Sequence, residues 1–160
     1  IPVAKGATKM LDLGGSHGLY SIELCKKHPQ LSATVVDLPP VKKYAEECIA
    51  KHNAASKVSF LPADFMKNEL PQGNDIILSF NIIHGLNPDE NLQLAQKVFS
   101  ALNNGGMFVI LDQIKGIGGN SQLSKATTSY MALNLLHQAG GKTYTANEVD
   151  AFIKKAGFLL

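Results

Sequence analysis

The feature that most constrains the fold is an apolar stretch that runs directly into a cluster of glycines. Residues 10–18 are typical of a β-strand, a tight turn and the start of a helix. Gly14 and Gly15 carry no Cβ and tolerate positive φ, so the backbone can turn sharply and approach a ligand closely. The free N–H groups that open the next helix then point at that ligand. The stretch therefore predicts a nucleotide-binding turn.

The spacing of the glycines narrows the class of nucleotide. The dinucleotide fingerprint G-x-G-x-x-G is not met, because Ser16 occupies the position of its second glycine. An NAD-dependent enzyme is therefore disfavoured. The pattern D-x-G-G-S-x-G is instead the form used for S-adenosylmethionine (SAM), which has an amino-acid end where a dinucleotide has phosphates. Another nucleotide, or a turn that is tight for packing alone, stays an open alternative.

Strand and helix patterns alternate along the rest of the chain. Short apolar runs predict four further strands, at 33–36, 57–61, 75–80 and 107–111. The run at 75–80 is apolar without alternation, which is typical of a strand covered on both faces. The alternation predicts an α/β fold with a Rossmann-like, doubly wound and mostly parallel sheet, in one domain of residues 1–160.

Capping residues and apolar periodicity predict the helices. Asn87 and Pro88 are typical of a helix start, as are Thr145 and Glu148, which form a capping-box pattern. The segment 103–106, Asn-Asn-Gly-Gly, predicts a helix end. The inward faces of the predicted helices include four aromatic residues, Tyr44, Phe99, Tyr130 and Phe152.

Chemically useful residues follow most of the predicted strands. Besides the glycine turn they are Asp37, Asp64, His84 and Asp112. Parallel strands end at one edge of a doubly wound sheet, and ligands bind there. Asp37 lies 19 residues after Gly18, close to the spacing of about 20 at which such folds place an acid on the ribose hydroxyls.

A SAM site needs a carboxylate for the ribose, an apolar surface for adenine and backbone around the methionine end. Asp37 is the candidate for the ribose, and Leu38 and Phe65 are the candidates for the apolar surface. The turn of Gly14, Gly15 and Ser16 is the candidate for the methionine end. Asp64 is placed to accept from the adenine amino group, and its alternative role is to cap a turn.

His84 follows a central strand and is the candidate general base. An imidazole with a pKa of about 6.5 can remove a hydroxyl proton at neutral pH. Asp112, one strand over, could hold the tautomer that this requires; the alternative for His84 is a loop histidine that bonds to backbone. His17 is expected to pack or cap within the glycine turn. A metal site of Asp64, His84 and Asp112 is disfavoured, because their separation matches no ligand spacing.

Composition excludes several classes of protein. The 160 residues carry 15 Lys and Arg against 13 Asp and Glu, and no basic run exceeds a pair, which disfavours nucleic-acid binding. No apolar run approaches 18 residues, so neither a membrane helix nor a signal peptide is expected. Cys25 and Cys48 form no C-x-x-C pattern and predict free thiols in a reducing cytoplasm.

Several stretches together resemble one enzyme family. They are Leu11–Gly18, Ala33–Val41, Phe60–Phe65, Ile83-His84 before Pro88–Glu90, and Gly140–Lys142. In these stretches the chain is similar to the SAM-dependent O-methyltransferases that include plant caffeate, flavonoid and hydroxyindole enzymes and bacterial antibiotic-tailoring enzymes. The resemblance runs from about residue 9 to residue 160 and covers the catalytic domain of that family.

The resemblance implies SAM as cofactor and a small, aromatic hydroxyl acceptor, methylated by in-line displacement with His84 as base and without a metal. Asp37 would bind the ribose, and Asp64 and Phe65 the adenine. Met131 and Asn134 match the region of the family that touches the acceptor. Asp112 stands where the family has a glutamate.

The family pattern also sets expectations about the rest of the protein. It includes an N-terminal dimerisation domain and a final strand hairpin, which this chain is expected to lack, and it implies a homodimer for the full-length protein. A second family glutamate is replaced here by Thr143. A SAM-binding module with lost or altered activity, in regulation or in methylation of carbon or nitrogen, is therefore the alternative.

Overall fold

The chain folds into two compact units. The computed structural model describes residues 3–116, 122–139 and 141–159, with the side chains at 122–125, 128, 131, 138 and 139 outside that description. Unit 1 consists of Ile1–Phe80 and Ser100–Ile110, and unit 2 of Asn81–Phe99 and Leu111–Leu160.

Unit 1 is organised around a five-stranded sheet. Its strands are β1 Lys9–Leu13, β2 Ser32–Asp37, β3 Val58–Pro62, β4 Asn74–Phe80 and β5 Leu102–Leu111. They lie in the order β3-β2-β1-β4-β5, and β1 pairs in parallel with β2 and β4, as β2 does with β3. The strand order reverses between β1 and β4, the kind of position where such sheets bind ligands. The predicted mostly parallel α/β fold is confirmed.

The core of unit 1 lies between this sheet and two helices, α1 Leu19–Lys27 and α2 Lys42–Lys51. Strand residues supply most of it, and each helix adds a buried isoleucine; the central members are Met10, Val35, Ile76, Leu78, Ile22 and Ile49. Along β4 four consecutive residues from Ile76 are fully buried. A strand covered on both faces was expected there, and it is confirmed.

Unit 2 is mainly helical. It contains most of α3 Pro88–Ala101, together with α4 Gln122–Ala139, α5 Ala146–Lys155 and two short parallel strands, β6 Ile114–Lys115 and β7 Tyr144–Thr145. Reciprocal hydrogen bonds between Asn87 and Glu90 cap the start of α3, and a capping box of Thr145 and Glu148 begins α5. Both predicted helix starts are therefore confirmed.

Three aromatic residues that were expected to face inward are exposed instead. Tyr44 is 68% exposed because the buried face of α2, which follows a 3-10 turn at Pro39–Val41, is limited to the i, i+4 pair of Ala45 and Ile49. Phe99 is 47% exposed, and its ring lies edge-on to Phe158. Tyr130, on α4, is 66% exposed.

Strand β5 begins earlier than the sequence predicts. The Asn-Asn-Gly-Gly segment that was expected to end a helix belongs to the strand, which starts at Leu102. The side-chain amide of Asn103 donates to the Asp75 carboxylate at 2.8 Å and to the Gly73 carbonyl at 3.3 Å. These long-range hydrogen bonds hold the segment beside β4 and override its preference for a turn.

Candidate functional site

The glycine-rich turn, residues 14–18, connects β1 to α1 in a left-handed backbone path. Gly14, Ser16 and Gly18 have φ values of 64°, 49° and 74°. The Gly14 N–H donates to the Val36 carbonyl at 2.8 Å, which ties the turn to the end of β2. Glycine is favoured at two of these positions because other residues rarely adopt positive φ. The predicted sharp turn is therefore present.

Gly15 does not adopt the positive φ that was expected of it. A Cβ at this position would lie 2.6 Å from the Asp12 carboxyl group. Asp12 is 1% exposed, accepts a 2.7 Å hydrogen bond from the Ser21 hydroxyl, and has its pKa raised from 3.8 to about 6 by burial. Gly15 thus leaves room for the buried carboxyl group of Asp12. An acidic residue inside an apolar strand is the sequence signal that could have predicted this burial.

Asp37 ends β2 and is fixed beside the glycine-rich turn. One carboxylate oxygen accepts from the Ser16 N–H at 2.9 Å, and the other from the Leu38 N–H at 2.7 Å. Each oxygen retains a lone pair with which it can accept another hydrogen bond. Leu38 is 49% exposed and offers an apolar surface next to this carboxylate. The structure therefore brings Ser16, Asp37 and Leu38 together, as a ribose and adenine site requires.

Asp64 caps the turn that follows β3. It accepts a hydrogen bond from the Met66 N–H at 3.0 Å and lies 3.2 Å from the Lys67 ammonium group. The hydrogen bond from Lys67 is the main reason why the pKa of Asp64 is lowered. Phe65, beside it, is half-buried. The turn-capping role that the sequence left open is thus observed, and its carboxylate is 31% exposed.

His84 and Asp112 form a hydrogen-bonded pair in unit 2. His84 lies in a 3-10 turn at Ile83–Gly85, and its Nδ1 is 2.7 Å from Asp112 Oδ1. The Asp112 side chain is fully buried, while that of His84 is 19% exposed. The Gln113 N–H also donates to Asp112, at 2.7 Å. A carboxylate at Nδ1 places the proton of a neutral imidazole there and leaves Nε2 as the acceptor.

The residues that hold the His84 turn were not identified from the sequence. The Asn91 amide donates to the Ile83 carbonyl at 2.9 Å and to the Leu86 carbonyl at 3.2 Å. The Tyr144 hydroxyl donates to the same Leu86 carbonyl at 2.6 Å. Nothing local in the sequence signals these contacts, because Tyr144 lies 58 residues from Leu86.

The two residues that the family resemblance assigns to the acceptor, Met131 and Asn134, lie on α4. This helix is in contact with the 3-10 turn that carries His84. Asn134 is half-buried, and the Met131 side chain lies outside the described residues.

His17 lies in the glycine-rich turn. Its ring accepts a 3.3 Å hydrogen bond from the Leu19 N–H, so the expected capping role is confirmed.

Within the part of the chain that the structure describes, no three His, Cys, Asp or Glu side chains are grouped as metal ligands would be. In the same part, no helix is both long enough and apolar enough to cross a membrane. Cys25 and Cys48 are free thiols.

Comparison with known proteins identifies the protein family of this chain. The family described as O-methyltransferase domain matches residues 4–159. The chain is 32% identical to 3-hydroxy-5-methyl-1-naphthoate 3-O-methyltransferase of Streptomyces sahachiroi, over 95% of the chain and 43% of that protein. It is 29% identical to L-tyrosine C(3)-methyltransferase of Streptomyces lavendulae, over 96% of the chain and 42% of that protein.

A solved structure is similar over nearly the whole chain. The mitomycin 7-O-methyltransferase MmcR superimposes with a TM-score of 0.86 at 26% identity, over 95% of this chain and 43% of that one. The chain thus spans less than half the length of these relatives.

Proposed function

This chain belongs to the O-methyltransferase domain family, and on that premise we propose that it transfers a methyl group from SAM to a hydroxyl of a small aromatic acceptor. Residues 1–160 serve in this proposal as the catalytic domain of a longer enzyme. SAM is the methyl donor of the family. The relative from Streptomyces sahachiroi is named for methylating a hydroxynaphthoate, which supports an aromatic acceptor.

The cofactor role of unit 1 is supported by the fixed Asp37 carboxylate. Its oxygens are oriented by the Ser16 and Leu38 N–H groups and keep acceptor capacity for the two hydroxyls of a ribose. Leu38 and Phe65 supply the apolar surface for the adenine, and the glycine-rich turn holds the methionine end. When bound, SAM supplies an electrophilic methyl group. Asp64 accepts from the adenine amino group in addition to capping its turn.

The proton of the acceptor hydroxyl goes to Nε2 of His84. The single observation that carries this assignment is the 2.7 Å contact between His84 Nδ1 and the buried Asp112 carboxylate. Asp112 holds the imidazole in the tautomer with a free Nε2 and stabilises the imidazolium that forms. No metal takes part in this scheme. Met131 and Asn134 contact the acceptor from α4.

Methylation of carbon is the second candidate, because one relative is named as an L-tyrosine C(3)-methyltransferase. An electron-rich aromatic carbon can accept the methyl group and then lose a proton to the same base. The two reactions differ in the bond that is made. Carbon-13 NMR of product formed from methyl-labelled SAM distinguishes an oxygen-bound from a carbon-bound methyl group.

The cofactor site is tested by calorimetric titration of the full-length protein with SAM and with its demethylated product. Asp37→Asn removes the charge that accepts from the ribose, so both ligands should bind about 10-fold to 100-fold more weakly. The two losses should be equal, since the ribose is common to both ligands. Asp150→Asn is the matched control, because it removes one charge from an exposed helix surface.

The outcomes of this titration separate the hypotheses. Equal losses for both ligands support the ribose role of Asp37. A loss for SAM alone would mean that Asp37 acts on the sulfonium charge, and absence of binding to the folded wild-type protein would contradict the cofactor assignment. Tight binding without turnover of any phenol would favour the SAM-binding module without methyltransferase activity.

We further propose that the full-length protein is a cytoplasmic homodimer. The two free thiols suit a reducing compartment. The dimer follows from the resemblance to a family whose members carry an N-terminal dimerisation domain. Light scattering coupled to size-exclusion chromatography of the full-length protein tests it, since a monomer at micromolar concentration would contradict the proposal.

A further inference from the structure

The turn that carries His84 is held by donors from distant parts of unit 2. The Lys142 N–H donates to the His84 carbonyl at 2.9 Å, and the Tyr144 hydroxyl donates to the Leu86 carbonyl at 2.6 Å. Gly141 is packed so closely that a Cβ there would overlap the His84 carbonyl oxygen. The segment 141–144 therefore follows the backbone of the turn closely.

The same segment also reaches the strand that follows Asp112. Tyr144 lies opposite Ile114 in the parallel pairing of β6 and β7, and Ile114 is two residues beyond Asp112. Through its backbone, Tyr144 therefore contacts the strand that follows Asp112. Through its hydroxyl, it contacts the turn that carries His84. Asp112 and His84 lie 28 residues apart in the sequence, and Tyr144 connects the chain segments that carry them.

The environment of Tyr144 favours a fixed hydroxyl donor. Tyr144 is 2% exposed, and its ring lies edge-on to Phe152, with centroids 6.1 Å apart. The Lys142 ammonium group lies 4.6 Å from the ring centroid. Burial raises the pKa of the Tyr144 hydroxyl above 10, so that it keeps its proton at neutral pH. A buried phenol in this setting has little rotational freedom to lose.

We propose that Tyr144 is a positioning residue that fixes the orientation of His84 toward Asp112. This inference rests on the proposed function, in which Nε2 of His84 takes the acceptor proton. Tyr144 acts through the Leu86 carbonyl and β6, without touching the reacting atoms. Its hydroxyl limits the movement of the 3-10 turn, so that Nδ1 stays on the carboxylate and Nε2 stays free.

The test is Tyr144→Phe in the full-length enzyme, with Tyr44→Phe as the matched control. Both substitutions remove one phenolic hydroxyl, and Tyr44 lies on the exposed face of α2. The tautomer of His84 is measured by nitrogen-15 NMR of histidine-labelled protein. Turnover is measured with a panel of phenols that includes 3-hydroxy-5-methyl-1-naphthoate.

We expect Tyr144→Phe to lower kcat about 10-fold to 100-fold, because small displacements of a catalytic group cost rates of that order. SAM affinity should stay at the wild-type value, and the fraction of His84 with its proton on Nδ1 should fall. Tyr44→Phe should leave kcat, SAM affinity and the tautomer of His84 unchanged. Thermal unfolding of both variants establishes that the protein is folded under the assay conditions.

Two results would overturn the inference. Wild-type kcat together with the wild-type tautomer would show that the hydroxyl does not position His84. A lower kcat with an unchanged tautomer would mean that Tyr144→Phe reduces turnover through the stability of the fold and not through the orientation of His84. The NMR readout needs no acceptor, so it tests the role of Tyr144 even if His84→Ala retains turnover and the base assignment itself fails.

Discussion

Units 1 and 2 each contain a carboxylate that hydrogen bonds hold in place. In unit 1 it is Asp37, beside the glycine-rich turn, and in unit 2 it is Asp112, which pairs with His84. Asp37 is half-buried and is held by two backbone N–H groups, one of them from the turn itself. Asp112 is fully buried and accepts from the backbone N–H of Gln113 and from the imidazole of His84, whose own turn depends on Asn91 and Tyr144. Backbone donors suit the binding of neutral hydroxyls, whereas a buried carboxylate hydrogen-bonded to an imidazole suits the control of a proton.

The comparison predicts that substitutions in the two regions impair different steps of the reaction. A change near Asp37 should weaken the binding of SAM. A change near His84 should slow the chemical step and leave SAM affinity intact. Substitutions of Gly15 in the turn, or of the buried Asp12 that it packs against, should act on stability.

The largest effect is expected for His84→Ala. Loss of the general base should lower kcat by about 10² to 10⁴, while the dissociation constant of SAM stays at its wild-type value. Steady-state kinetics and calorimetry of the full-length enzyme measure the two quantities. His28→Gln, at the end of α1, is the control. An unchanged kcat in His84→Ala would remove the base from the mechanism.

Asp112→Asn should produce the next largest loss, of about 10³ in kcat. An amide keeps the size of the buried carboxyl group but removes its charge and offers a donor to Nδ1. The imidazole then carries its proton on Nε2, where it cannot accept from the substrate. Nitrogen-15 NMR should show this change of tautomer. Wild-type kcat in the variant would contradict the role given to Asp112.

Asp12→Asn should change the pH dependence of stability. The folded-state pKa of about 6 lies above the ordinary value of 3.8, so the ionised carboxyl group destabilises the folded state. This contribution is absent below about pH 4, grows as pH rises to about 6, and then stays constant at about 3 kcal/mol. Urea unfolding between pH 4 and 8 should show a smaller decline in the variant than in wild type.

Asp150→Asn is the control for this experiment, because its carboxyl group is half exposed on α5. It should keep the decline in the free energy of unfolding between pH 4 and 6. The same decline in Asp12→Asn as in wild type would mean that another group causes it.

Gly15→Ala should have the smallest effect of the four. The added Cβ would lie 2.6 Å from the Asp12 carboxyl group, and overpacking of this kind costs about 1–3 kcal/mol of stability. Gly85→Ala is the control for the melting temperature, because no atom lies within 4 Å of a Cβ built there. Equal melting temperatures for the two variants would contradict the packing role of Gly15.

Local patterns made much of this architecture predictable from the sequence. The glycine cluster at 14–18 marks a turn because few residues adopt positive φ, and Asp37 follows from its spacing to that cluster. His84 and Asp112 both follow strands of one parallel sheet, which predicts that they lie close together. Their 2.7 Å contact agrees with that expectation.

Features that depend on distant contacts were missed. The start of β5 depends on hydrogen bonds from Asn103 to Asp75, which are 28 residues apart. The anchoring of the His84 turn depends on Tyr144, which lies beyond two helices in the sequence. Tyr44 faces outward because only Ala45 and Ile49 of α2 are buried, a narrower face than its apolar periodicity predicts. Periodicity within one element carries no information about such partners.

In the proposed mechanism unit 1 binds the cofactor, and His84, held by Asp112, accepts the proton. The most direct test is the single-turnover rate of full-length Asp37→Ala and His84→Ala at rising SAM concentration. The account predicts that saturating SAM restores the rate of Asp37→Ala to near wild type and leaves His84→Ala slow at every concentration. A slow Asp37→Ala at saturation, or recovery of His84→Ala with SAM, would contradict it.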